Sequence, residues 1–108
     1  LEQWQLREQV GALVCADETD RVYLQVPEHL YIEDPGWQRQ IHLQSQGSSS
    51  AIVWNPGVEK SKTLSGFAST AWQQMLCIES ANVLSDHLVL EPGARHCLEL
   101  KLSCVPMA

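Results

Sequence analysis

An all-β fold, an antiparallel β-sandwich, is what three features of this 108-residue chain predict. Short runs alternate apolar and polar residues, turn residues punctuate almost every run, and no sustained helical period appears.

Val22, Leu24 and Val26 alternate with Arg21, Tyr23 and Gln25, which marks a first strand with one apolar face. His29 to Ile32 forms a second run and ends at Asp34-Pro35-Gly36, a strong turn signal. Trp37 to Gln44 reads as a longer strand, with Ile41 and Leu43 opposite Gln40, His42 and Gln44. Gly47-Ser48-Ser49-Ser50 reads as a hairpin loop before Ala51 to Trp54, and Asn55-Pro56-Gly57 closes that strand. From Val58 to Gln73 the alternation fails, apart from a short helical turn expected near Ser69 to Trp72. Irregular stretches of this length in small domains are disproportionately functional. Strands resume at Met75 to Glu79, Leu88 to Leu90 and Arg95 to Cys104, about seven in all. Residues 1–108 are thus expected to form a single all-β domain.

With 13 acidic and 7 basic side chains the net charge is −6, and nucleic-acid binding is excluded on charge grounds. No apolar run approaches the ~20 residues of a membrane span. Leu1-Glu2-Gln3-Trp4-Gln5 has neither the basic flank nor the apolar core of a signal peptide, and no initiator Met. The expectation is therefore a cytoplasmic chain that begins inside a longer gene product. Cys15, Cys77, Cys97 and Cys104 show neither metal nor redox spacing, and three of them fall in expected strands. Reduced cysteines packed as small hydrophobes fit this better than a disulfide framework.

Glu79 stands out by pattern alone. It ends an apolar strand in register with Met75 and Cys77, where partial desolvation would suit a general base. The competing reading is a strand-end Glu already turned to water. Asp17 to Arg21 is a charged cluster that reads as a solvated turn, and Trp54-Asn55 suits either a sugar site or a core Trp beside a turn. His29, His42, His87 and His96 lack a second ligand at metal spacing, so no metal site is expected. No Gly-x-Ser-x-Gly elbow supports a serine nucleophile.

Glu18-Thr19-Asp20-Arg21-Val22-Tyr23-Leu24, then Val53-Trp54-Asn55-Pro56-Gly57, then Met75-Leu76-Cys77-Ile78-Glu79-Ser80-Ala81 occur in that order. Together they resemble the glucose-6-phosphate 1-epimerase (hexose-6-phosphate mutarotase) family of the aldose 1-epimerase, galactose mutarotase-like group. Leu90 to Gly93 and the alternating last strand fit the family's C-terminal part. The resemblance implies interconversion of the α and β anomers of a hexose 6-phosphate, without cofactor or metal. It implies Glu79 as the catalytic base and Asp20 as a sugar-binding residue. It also implies a larger sandwich, whose acid histidine and phosphate-binding residues lie upstream of the Thr-Asp-Arg motif. This chain has nineteen residues before Asp20, so self-association or docking to an N-terminal portion is expected. A non-catalytic carbohydrate-binding module built on the same sandwich is the alternative.

Overall fold

A computed structural model describes residues 5–107. It contains six strands: β1 (Thr19–Leu24), β2 (His29–Asp34), β3 (Arg39–Gln46), β4 (Ser50–Asn55), β5 (Cys77–Ala81) and β6 (Glu99–Pro106). One α-helix, α1 (Gly57–Ser61), and three short 3-10 segments complete it. The expected all-β architecture is present. Two antiparallel three-stranded sheets form it, one ordered β1-β4-β5 and the other β2-β3-β6.

The second sheet shows how alternation becomes two faces. Leu30 pairs with Leu43 and Leu43 with Leu102; Ile32 pairs with Ile41 and Ile41 with Cys104. Directly paired residues point to the same side of a sheet, so these apolar residues form one face. Tyr31, His42 and Ser103 fall in register on the other, beside Gln44 and Lys101. The β2–β3 hairpin closes through a 3-10 turn at Pro35–Trp37, with Gln38 left-handed at φ 52°. Arg39 Nε donates to Asp34 Oδ2 at 2.9 Å, and its guanidinium lies 5.7 Å from the Trp37 ring centre. That carboxylate raises the Arg39 pKa further above its ordinary value.

Three expectations need correction. Leu88 to Leu90 is not a strand: all three residues are exposed, and no neighbouring strand pairs with them among the described residues. Three apolar residues without a ladder cannot offset the entropy of extending them. The last strand starts at Glu99 rather than Arg95, because its pairing with β3 ends where Gln46 meets Glu99. Gly47-Ser48-Ser49 is not a hairpin loop, since it carries the chain from β3 in one sheet to β4 in the other. The stretch read as irregular after Val58 includes most of α1, and the helical turn expected near Ser69 lies at Ala71–Gln74.

The β3–β4 crossover is fixed by polar groups. Gly47 is at φ 84°, and a Cβ there would meet the Cys97 carbonyl, so only glycine fits. Ser48 Oγ donates to the Ala81 carbonyl and accepts the Ala81 N–H at 3.2 Å. Ser50, only 1% exposed, places Oγ 2.6 Å from the Ala81 carbonyl and 2.8 Å from Asp86 Oδ2. Its single proton serves one of the two. Asp86 Oδ2 also accepts the Ser49 N–H at 2.9 Å and the Asn82 amide at 3.3 Å. The Ser49 N–H first, and the Ser50 hydroxyl next, hold the Asp86 carboxyl below its usual range. The end of β5 is thereby tied to the start of β4.

Burial is thin. Leu43, Ala51 and Val53 are the buried hydrophobic residues among those described. The chain exposes 8576 Å², whereas a compact monomer of its mass exposes roughly 6,000 Å². Its radius of gyration is 15.9 Å, against about 13 Å for a compact domain of this length. Cys97 and Cys104 are exposed and Cys77 is half-buried, so the expectation of core cysteines fails for the first two. Cys104 lies in β6 and Cys97 just before it, and no layer among the described residues covers either.

Two substitutions test this account. A lowered folded-state pKa means that ionised Asp86 stabilises the fold above its ordinary pKa and loses that effect as pH falls through the lowered value. Asp86→Asn should therefore lower the melting temperature at pH 7, and the gap from wild type should close in strong acid. Thermal scans across pH check this, and a gap of constant size would count against it. Gly57 is at φ 71°, and a Cβ there would stand 2.5 Å from Glu18 N. Gly57→Ala should cost about 1–3 kcal/mol of stability, read from urea unfolding.

Candidate functional site

Asp20 and Glu79 are separated by almost sixty residues, and the first sheet brings them to one face. Asp20 pairs with Trp54, which pairs with Cys77; Val22 pairs with Ile52, which pairs with Glu79. These six residues therefore share a face, with the two carboxylates on outer strands and β4 between them. Two strand spacings across and two residues along put their backbones about 12 Å apart. Trp54 stands between, half-buried, directly opposite Asp20. The register expected for Cys77 and Glu79 is present, although Met75 precedes the strand.

Glu79 is exposed, as is Asp20. The partial desolvation expected of a Glu closing an apolar strand is absent here. The reason is its place: β5 is the outer strand of its sheet, and no second layer of the described residues covers Glu79.

The Trp54-Asn55-Pro56-Gly57 motif holds the surroundings of these residues. Asn55 is 4% exposed. Its Nδ2 donates to the carbonyls of Trp72 and Met75, both at 2.9 Å, and its Oδ1 accepts the Gly57 N–H at 2.9 Å. The amide thus anchors the irregular stretch that delivers the chain to β5. Pro56 is fully buried, and Gly57 lets the backbone press against Asp17 and Glu18, immediately before Asp20. Thr19 Oγ1 donates to the Asp17 carbonyl at 3.2 Å and keeps that approach in shape.

No histidine among the described residues serves the shared face. His29 Nδ1 and His42 Nε2 lie 2.7 Å apart on the second sheet, and His42 stacks on Tyr31. His87 Nδ1 lies 2.7 Å from the Leu84 carbonyl, and His96 Nε2 lies 2.7 Å from that of Gly47. Several cations near the fold's acidic groups are engaged. Lys60 pairs with Glu18 at 3.6 Å and Lys62 with Glu59 at 3.3 Å. Arg21 Nη1 donates to Gln9 Oε1 at 3.0 Å and, by register, belongs to the opposite face from Asp20. A cleft of about 210 Å³ is lined by Asp17, Glu18, Pro56, Val58, Glu59 and Lys60. Three carboxylates against one paired ammonium do not suit an anionic phosphate.

Sequence reasoning missed Ser50 and Asp86, whose partners stand more than thirty residues away in the chain. Asn55 was noticed as a turn residue or sugar ligand, whereas the fold uses it as an anchor. Among the described residues no group of three or more His, Cys, Asp or Glu could hold a metal ion, and no helix is long and apolar enough to cross a membrane.

Known proteins complete the picture. The family model of aldose 1-epimerase matches residues 3–103. A protein of Cenchrus ciliaris with the provisional name glucose-6-phosphate 1-epimerase is 34% identical over 99 residues, 92% of this chain and 30% of the relative. Proteins given the same provisional name are 31% identical in Haemophilus influenzae, over 81% of this chain and 30% of the relative, and 27% identical in Escherichia coli, over 80% and 29%. The chain thus spans about 30% of the length of the relatives it matches. No solved structure gives a significant match. A family match over nearly the whole chain, on an antiparallel sandwich carrying the family's motifs in order, means that the chain belongs to the aldose 1-epimerase family.

Proposed function

We propose that this chain is the part of a hexose-6-phosphate mutarotase that carries the catalytic base, Glu79, and a sugar-binding carboxylate, Asp20. The observation that supports the reading most is their convergence on one sheet face with Trp54 between them. A pyranose ring laid against the indole presents hydroxyls to both sides, and an aromatic face suits the apolar C–H surface of a sugar.

The chemistry is proton transfer. Glu79 takes the proton of the anomeric hydroxyl while an acid gives one to the ring oxygen, and the bond between C1 and that oxygen breaks. The open aldehyde rotates about C1–C2. Closure on the other face of the carbonyl, with both protons returned, delivers the opposite anomer. Asp20 accepts hydrogen bonds from sugar hydroxyls and fixes the ring while C1 turns. The family resemblance puts the acid histidine and phosphate-binding residues upstream, and the engaged histidines and cations of this chain fit that division. Four free thiols without a disulfide fit the cytoplasm, where sugar phosphates are found.

A second reading, a carbohydrate-binding module without turnover, is favoured by the exposure of Glu79. Polarimetry on freshly dissolved glucose 6-phosphate separates the two. The isolated chain should not accelerate mutarotation at an enzymatic rate, and full activity would overturn the division of labour proposed above. In the longer polypeptide that completes the site, Glu79→Gln should lower kcat by about 10²–10⁴-fold with little change in KM. Asp20→Asn should mainly raise KM, through lost hydrogen bonds to the sugar. A Glu79→Gln enzyme within a few-fold of wild-type kcat would sink the base assignment and move the binding module ahead.

A further inference from the structure

Glu79 lies close to the end of β5, and the groups that end the strand are well placed to set where it stands. The β4–β5 ladder runs from Trp54 opposite Cys77 to Ser50 opposite Ala81, which puts Ile52 opposite Glu79. A slip of one residue would turn Glu79 to the other face of the sheet. A slip of two would keep the face but carry it roughly 7 Å along the strand, opposite Ser50 or Trp54. The last pair, Ser50 with Ala81, has no bulky side chain to resist such a slip. Polar contacts resist it instead.

Ser48 Oγ stands at the last rung. It accepts the N–H groups of Ala81 at 3.2 Å and Ser50 at 3.3 Å, and it lies against the Ala81 carbonyl. Ser50 Oγ accepts the Val83 N–H at 3.2 Å, just beyond the strand. By register Ser50 shares the face of Ile52, Trp54 and Glu79. Asp86 Oδ2 then stands 2.8 Å from Ser50 Oγ and accepts the Ser49 N–H at 2.9 Å and the Asn82 amide at 3.3 Å. One oxygen thus joins the start of β4 to the turn that follows β5. That turn needs the tie. Leu84 within it is left-handed at φ 51°, a conformation that a bulky side chain keeps only where its surroundings impose it.

We infer that Asp86 is a positioning residue for Glu79, locking through Ser49 and Ser50 the β4–β5 register that keeps Glu79 on the face of Asp20 and Trp54. It touches no reacting atom. The inference rests on the reading of Glu79 as the base, and it names what holds that base in reach of the sugar. What matters at position 86 is an oxygen that accepts from Ser49, Ser50 and Asn82 together. Asparagine keeps such an oxygen, and alanine does not.

The test uses the longer polypeptide that completes the site, at a temperature where circular dichroism shows each variant fully folded. Misplacing a reacting group by about 1 Å can cost on the order of a hundredfold in rate. Asp86→Ala should lower kcat about tenfold or more and leave KM for glucose 6-phosphate within about threefold, since Asp20 still holds the sugar. Asp86→Asn, though less stable, should recover kcat to within about threefold of wild type. Amide hydrogen exchange at Ala81 and Val83 should quicken in Asp86→Ala and be largely restored in Asp86→Asn. An unchanged kcat in Asp86→Ala, a change confined to KM, an Asp86→Asn variant as slow as Asp86→Ala, or exchange alike in all three proteins would each overturn the inference. Glu79→Gln assayed alongside separates the two readings. If it keeps wild-type kcat, the base assignment fails and this inference with it. If it loses kcat while Asp86→Ala does not, this inference alone is overturned.

Discussion

The Asn55 amide holds together more of this small structure than any apolar contact does. It sits buried at the end of β4, the central strand of its sheet, and joins three backbone groups that no ladder satisfies. An unpaired buried amide is costly, so the three partners are fixed together or lost together. Through Gly57 it turns the chain against Asp17 and Glu18. Through Trp72 and Met75 it ends the irregular stretch at the point where β5 begins. Asp20 and Glu79 are each a few residues from one of these anchors. The apolar core, with three buried hydrophobic residues among those described, is too small to place them alone.

The two ends of β5 are secured by different chemistry. At the start, a neutral amide binds carbonyls. At the end, Ser48, Ser50 and Asp86 bind both polar groups of Ala81 and the adjoining turn. Glu79 lies between these two clamps on an otherwise open strand. The role proposed for Glu79 thus rests on an exposed carboxylate whose backbone is fixed at both ends of the strand.

Much of this was legible in the residues. The Asp34-Pro35-Gly36 turn and the alternation of the last strand need only local chemistry; the turn appears where the pattern puts it, and the strand appears with its start moved from Arg95 to Glu99. The order of three motifs made Asp20 and Glu79 candidates, and the strand register brings them to one face. What could not be read depends on distant partners. Gly47-Ser48-Ser49 has the composition of any hairpin loop; its change of sheet is decided by Cys97, Ala81 and Asp86, far along the chain. Leu88 to Leu90 has the apolar, branched composition of a strand but no neighbour. Cys97, Cys104 and Glu79 are exposed because no layer among the described residues covers them, and local pattern carries no information about layering.

The change of sheet after β1, β3 and β5 has a kinetic consequence. Only β2 and β3 are joined by a tight turn. Thr19 must find Asn55, and Arg39 must find Pro106, before the remaining outer strands gain a partner. Closing such loops takes entropy before any ladder compensates for it, and chains rich in distant pairings fold slowly. The hairpin is therefore the natural nucleus, and β6, the last of the six strands in chain order, pairs late. Until it pairs with β3, its backbone N–H and C=O groups are open to whatever strand they meet first, which makes the crowding around the unfolded chain part of what decides its partner.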